Sequence, residues 1–206
     1  MRNIVIRRAT LGDADVLADI CRSSFPDSLL WTGPRFLSQK WWKAVINSDS
    51  AETWVCLKDG EIGSLGVLVT DMAGWKKEKL YPERNMCVRL FALAMCPRLI
   101  ISKIVKLISA AKAPVSNCPT SNIARTNIES QIWLRLIAVS PQMRRQGLAK
   151  RILQLCEERA LERHRQAIQL FVFSNNKTPR SFFVQQGFVC TNHRRKGCVY
   201  TKVLGD

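Results

Sequence analysis

From Ile132 to Phe173 the apolar pattern changes period twice. Ile132–Val139 reads as a strand ended by Ser140-Pro141. Gly147 to about Arg165 reads as a helix, with Leu148, Ile152, Leu155, Cys156 and Leu161 at its apolar positions. Ala167–Phe173 reads as a buried strand. Strands with helices between them imply a mixed α/β domain around one sheet. Residues 3–9 read as a further strand, and Thr10-Leu11-Gly12-Asp13 as a capping-box-like start. The helix that follows carries Ala14, Leu17, Ala18 and Cys21 and runs to about Ser24. Gly33-Pro34 opens a second helix with Phe36, Leu37, Trp41, Ala44 and Val45 as its apolar stripe. Thr53–Leu57 and Ile62–Val69 are strand-like runs joined at Asp59-Gly60, a strong hairpin signal. Thr178–Gln186 reads as a short helix started by Pro179. Gly187-Phe188 then turns into the next strand, and Val199–Leu204 is the last.

A chain of 206 residues suits one domain, 1–206, with an insertion at about 72–130. Its 47% hydrophobic and 23% charged residues exclude disorder and low complexity. The insertion differs in texture. It holds ten Lys/Arg against three Glu, and Pro82, Pro97, Pro114 and Pro119 divide it. Between Met86 and Ala111 it is apolar, but Arg89, Arg98, Lys103 and Lys106 interrupt it, which excludes a spanning helix. Two amphipathic helices fit, the second with Ile100, Ile101, Ile104, Val105 and Ile108 on one face, followed by a loop over 113–128. Such faces pack on the domain itself or, across 76–112, dock on a membrane surface or a partner.

The net charge is +16, from 32 Lys/Arg and 16 Asp/Glu. That imbalance predicts anionic partners: phosphorylated cofactors, nucleic acid or an acidic membrane surface. The basic residues are spread along the chain rather than interleaved with aromatics, so no specific nucleic-acid partner is expected. The eight cysteines (Cys21, Cys56, Cys87, Cys96, Cys118, Cys156, Cys190 and Cys198) form no C-x-x-C pair. They form no ligand spacing with His164 or His193 either, so no metal is expected. No apolar h-region follows Met1-Arg2-Asn3, so the expectation is a cytoplasmic protein with reduced thiols, at the inner membrane surface if 76–112 docks there.

The chemistry gathers at Val139-Ser140-Pro141-Gln142-Met143-Arg144-Arg145-Gln146-Gly147-Leu148-Ala149-Lys150. A strand ends, a basic turn follows, and a helix starts at a glycine and a small residue. The first amides of a helix lack partners and sit at the positive end of its dipole. Glycine lets a bulky anion approach, so the turn suits a phosphate or pyrophosphate. Downstream, Ser174-Asn175-Asn176-Lys177-Thr178-Pro179 delivers asparagines from a strand end into a short helix.

Together these stretches resemble the GNAT superfamily of N-acetyltransferases. Arg144-x-x-Gly147-x-Ala149 matches that family's Q/R-x-x-G-x-G/A signature. Asn176-x-x-Pro179-x-x-x-Phe183-x-x-x-Gly187-Phe188 is similar to its N-x-x-A-x-x-x-Y-x-x-x-G-F element. The resemblance covers roughly 3–70 and 130–204 and does not extend over 72–130. It implies a mixed, mostly antiparallel central sheet, splayed between two strands and flanked by helices. It also implies acetyl-CoA as co-substrate. The amides of Arg144, Arg145, Gln146, Gly147, Leu148 and Ala149 would hold the pyrophosphate, with Lys150 adding charge beside them. The edge at Ile137, Ala138 and Val139 would pair with pantetheine like an added strand, and Asn176 would reach the cofactor arm.

Phe183 stands where the family carries the tyrosine that protonates the leaving thiolate. A phenyl ring cannot donate, so that proton comes from another group or from water. Pro179 replaces a small residue and suits the first turn of a helix. The acceptor amine must be neutral to attack, which calls for a base. Glu129, shortly before Trp133, and Asp27, in Phe25-Pro26-Asp27-Ser28, are the candidates. The Phe25-Pro26-Asp27-Ser28 and Gly33-Pro34-Arg35-Phe36-Leu37 stretches are similar to bacterial acetyltransferases placed with surface-polysaccharide genes. That similarity suggests an amino-sugar acceptor, nucleotide- or lipid-linked, with a protein or peptide amine as the alternative. Two other classes stay open: a module that binds CoA or anions with little catalysis, and a peripheral membrane protein.

Overall fold

Asp59 and Gly60 take left-handed backbone, φ +53° and +88°, as a tight two-residue hairpin requires. They fold strand β2 (Ala51–Lys58) back on β3 (Glu61–Val69). The structure, a computed structural model, describes residues 3–26, 28, 31, 33–78, 131–174 and 176–205. Strand β1 (Ile4–Arg8) pairs with β2, and β4 (Gln131–Val139) with β3, all antiparallel. β5 (Ala167–Phe173) lies parallel to β4. β6 (Val189–Arg194) and β7 (Gly197–Val203) form a hairpin whose β7 pairs antiparallel with β5. The order among the described residues is β1-β2-β3-β4-β5-β7-β6, the mixed, mostly antiparallel sheet expected from the sequence.

Alternation along the strands divides the core in two. Val55, Leu65, Val67 and Val69 face a layer made by α1 (Ala14–Ser24), α2 (Arg35–Ile46) and α3 (Met72–Lys77). Cys56, Leu68, Ile132 and Leu170 face α4 (Leu148–Glu162) and α5 (Lys177–Gln185) on the other side. The first residues of the 72–130 stretch join the core. Asp71 caps α3 by accepting from the amides of Ala73 (2.9 Å) and Gly74 (3.0 Å), and Trp75 is fully buried. The expected helices across 86–111 and the loop over 113–128 lie outside the described residues, as do Asp27, Glu129 and Asn175. Among the described residues no helix is long and apolar enough to cross a membrane.

Two helical faces differ from expectation. In α2 the buried side chains are Ser38, Trp42 and Val45, while Phe36 and Ala44 are exposed. An aromatic group sets this rotation: Trp42 stacks on Trp31 at 5.8 Å, and Trp41 meets both rings edge-on at 5.1 and 4.9 Å. Ser38 tolerates burial because its hydroxyl donates to Arg35 O at 2.8 Å. In α4 the ridge is Leu148, Ile152, Cys156 and Ala160 at four-residue steps, with Leu153 beside it. Leu161 lies a hundred degrees round from that ridge and is exposed. The helix also ends at Glu162 rather than near Arg165. His164 turns left-handed (φ +55°), and the Arg165 amide donates back to Ala160 O at 2.9 Å.

The seat of α4 is cut into β3. A Cβ on Gly66 would lie 2.5 Å from Ile152 Cγ2, and one on Gly63 would lie 2.6 Å from Leu148 Cδ1. Two positions without side chains therefore let α4 sit directly on the strand. This fixes its N-terminus beside the end of β4.

Candidate functional site

β4 and β5 pair only at Gln131–Trp133 with Ala167–Gln169. Beyond that, β4 continues along β3 to Val139 and β5 continues along β7 to Phe173. The sheet therefore splits between its two parallel strands. The Ser140 amide donates to Gly63 O at 2.8 Å, so Ser140, Ala138 and Leu136 direct their backbone groups toward β3. By alternation, Ile137 and Val139 direct theirs into the split. Among the described residues this edge has no strand partner, and apart from Val139 O its N–H and C=O groups are open to an extended ligand. Ala138, expected with them, turns its backbone to β3 and buries its side chain against the α1 layer. Ser24 at the end of α1 reaches the same edge, its hydroxyl donating to Val139 O at 3.2 Å. That contact joins residues 115 apart, and no sequence pattern announces it.

At the mouth of the split lies the basic turn. Pro141–Met143 make one 3-10 turn, and Arg144 is extended. Arg145 (φ +60°) and Gly147 (φ +79°) are left-handed, with Gln146 between them. These two left-handed residues turn the chain sharply between the end of β4 and the start of α4. Gly147 is the N-cap of α4, and no acidic side chain stands in the first turn, so the positive end of the helix dipole is uncompensated. A Cβ at Gly147 would meet nothing within 4 Å, which leaves the approach to these amides open. Arg144, Arg145 and Lys150 are exposed around it, and Ala149 is half-buried. Leu148 presents its amide while its side chain anchors the helix in the core. Gln146 is held from both sides: Oε1 accepts from Lys58, and Nε2 donates to Gln142 O at 3.4 Å. Lys58, on β2, is a further cation at this turn that spacing alone does not reveal.

Across the split, the end of β5 delivers Asn176 as the N-cap of α5. Its amide N–H donates to Phe173 O at 3.0 Å, and its side chain is exposed with no capping bond. Phe183 lies deeper, 5% exposed, with Phe182 and Phe188 edge-on at 5.1 and 5.5 Å. The structure thus gathers Ile137, Val139, the 144–150 turn and Asn176 around the open end of the split, with Phe183 in the core below.

The fold brings together two of the cysteines and one histidine. Cys190, His193 and Cys198 bring one ligand atom each to within 4.8 Å of one another, a set spaced Cys-x2-His-x4-Cys that the sequence-based expectation overlooks. The hairpin between β6 and β7 makes the grouping.

Residues 112–202 match the family model described as an acetyltransferase (GNAT) domain, a match that begins inside the 72–130 stretch. No curated protein matches the sequence. Among solved structures, an acetyltransferase from Thermus thermophilus aligns with TM-score 0.61 at 11% identity, over 99% of this chain and 100% of that one. The ribosomal-protein-S18-alanine N-acetyltransferase from Escherichia coli aligns with TM-score 0.59 at 12% identity, over 99% and 96%. The PaiA N-acetyltransferase from Thermoplasma acidophilum, in complex with coenzyme A, aligns with TM-score 0.56 at 11% identity, over 98% and 99%. At these identities the likeness is one of fold.

Proposed function

We propose that this chain, with the fold of the GNAT acetyltransferases and a GNAT-domain match over 112–202, is an acetyl-CoA-dependent N-acetyltransferase acting on a primary amine. The observation that carries the reading is the split between β4 and β5, with the strand edge at Ile137 and Val139 facing it and ending at the Arg144–Lys150 turn. An extended amide-bearing arm ending in a diphosphate fits those two features together, and the coenzyme A complex of a fold neighbour supports the choice. Bound acetyl-CoA supplies an acetyl thioester for direct attack by the amine. The turn's amides, with Arg144, Arg145 and Lys150, hold the diphosphate charge. Ile137 and Val139 orient the arm, and Asn176 faces it from β5. An alkyl ammonium has a pKa of about 10, so the acceptor must lose a proton before attack, and Glu129 and Asp27 are the proposed bases. An amino sugar is the proposed acceptor class, on the similarity of the Phe25–Ser28 and Gly33–Leu37 stretches.

Isothermal titration with acetyl-CoA, CoA and ATP tests the reading. Micromolar acetyl-CoA affinity with ATP much weaker is expected, followed by thiol release when amino sugars are added. Equal binding of ATP and acetyl-CoA would reduce the turn to an anion trap and favour the non-catalytic module.

Phe183→Tyr probes thiolate protonation. A thiol leaving group, with a pKa of roughly 8.5, is protonated acceptably by water, so the expected gain in turnover is tenfold or less, about 1.4 kcal/mol. Melting temperature reports where the new hydroxyl sits. One that reaches the split leaves stability unchanged, whereas one buried without a partner costs about 1–3 kcal/mol. A lower melting temperature with unchanged turnover would leave water as the donor.

A further inference from the structure

We propose that Cys190, His193 and Cys198 form a Zn²⁺ site on the β6–β7 hairpin. The register explains how residues at such spacing meet. In a regular strand Cys190 and His193 would face opposite sides of the sheet. Between Cys190 and Asn192 the pairing slips by one residue: Cys190 opposes Tyr200, Asn192 opposes Val199, and His193 opposes Cys198. Thr191 is the extra residue of a bulge, which re-aims the side chains after it. Cys198 and Tyr200, two apart on β7, share a face, and their partners His193 and Cys190 therefore share it too.

The atoms are near ligand spacing. Cys198 Sγ lies 3.2 Å from His193 Nδ1, and Cys190 Sγ lies 3.7 Å from His193 Nε2. Sulfur at about 2.3 Å and nitrogen at about 2.0–2.1 Å on one tetrahedral Zn²⁺ stand roughly 3.5 Å apart. Each sulfur is near that distance from a different ring nitrogen, and all three ligand atoms lie within 4.8 Å of one another. One ring nitrogen binds, and a small turn of the exposed imidazole selects which. Two thiolates and one imidazole suit Zn²⁺ among divalent ions.

Both cysteines are buried, at 3% and 6% exposure, while His193 is exposed, so the fourth position opens to solvent and takes water or an anion. Each thiol loses one proton as its sulfur–metal bond forms, so binding releases two protons and leaves the two thiolates balanced against the dication. Arg194, Arg195 and Lys196, exposed next to the site, favour an anionic fourth ligand. The site uses none of the residues assigned to acetyl-CoA. It ties β6 to β7, and β7 braces the β5 strand, which leads through 174–175 to Asn176.

The test uses the full chain, reduced and freed of metal, titrated with Co²⁺ and then Zn²⁺. The expected result is one equivalent of Co²⁺ with thiolate charge-transfer absorption and intense tetrahedral visible bands, displaced by one equivalent of Zn²⁺ with a rise in melting temperature. His193→Ala, at an exposed position, should fold and weaken Co²⁺ affinity at least about tenfold. Cys198→Ser should lower the charge-transfer intensity. Absence of a thiolate–cobalt band at one equivalent, or Co²⁺ affinity unchanged in His193→Ala, would overturn the site.

Discussion

Gly147→Asp is expected to abolish measurable acetyl-CoA binding while the protein still folds. Gly147 takes φ +79° at the N-cap of α4, and a Cβ there would meet nothing within 4 Å. The cost therefore comes from strain and charge rather than collision. A carboxylate placed about 4 Å from a diphosphate is repelled by roughly 4 kcal/mol per charge pair at an effective dielectric of 20. A hundredfold loss needs only about 2.7 kcal/mol, so the expected loss exceeds that. Gly147→Asn isolates the charge, because asparagine is the non-glycine residue most at ease in left-handed backbone and matches aspartate in size. Its affinity should stay within about tenfold of the parent, roughly 1.4 kcal/mol. Titration of both variants, with melting curves as the fold control, decides the matter. Affinity unchanged in Gly147→Asp would remove the diphosphate from this turn.

The features legible in the sequence are those carried by local chemistry. Asp59-Gly60 has few conformations open to it and makes the hairpin it announces. The same holds at Gly147, where one residue must be left-handed and lead a helix. Arg145, also left-handed (φ +60°), carries no such signal, because nothing in an arginine side chain asks for that backbone. It is held there by the turn between β4 and α4.

Features decided by packing over distance are hidden. The α2 stripe is ambiguous by one position because Trp41 and Trp42 are equally apolar. Contact with Trp31 buries Trp42 and leaves Trp41 on the flank. Gly63 and Gly66 look like ordinary strand glycines until α4 lies on them. Ser24 and Lys58 reach the site from α1 and β2, across 115 and 88 residues. The Cys190–His193–Cys198 grouping needs both a hairpin and a one-residue bulge, and a bulge leaves no mark in hydrophobic periodicity.

Glu52→Ala should produce the largest loss of stability, and one that depends on pH. Glu52 lies on β2 facing α4 and is 3% exposed. Its carboxylate accepts from Arg159 Nε and Nη2, each at 3.3 Å, from Arg163, and from Trp54 Nε1 at 3.1 Å. Arg159 also lies over the Trp54 ring, 5.5 Å from its centre. Burial pushes the Glu52 carboxyl up, but the hydrogen bonds from Arg159, Arg163 and Trp54 outweigh it and hold it at about 2, below the ordinary 4.5. Only the carboxylate is buried, and Arg159 and Arg163, 29% and 39% exposed, rehydrate without it. The loss therefore sits at the low end for such pairs, about 3 kcal/mol, or roughly 6–12 °C in melting temperature for a chain of this size. Because the folded value is depressed, the contribution is fully present above about pH 4.5 and is lost as pH falls toward 2. Denaturant unfolding of parent and variant should therefore differ widely at pH 7, and the gap should shrink by about half at pH 3, closing only below pH 2. A gap of equal size at both pH values would assign the loss to packing alone. Arg159 is twelve residues along the chain from Gly147, about 18 Å at 1.5 Å per residue. Acetyl-CoA affinity at pH 7 should therefore stay within twofold of the parent wherever the variant is folded. The Glu52 cluster fastens the far half of α4 to the sheet, while Gly63 and Gly66 set where its N-terminus meets the turn.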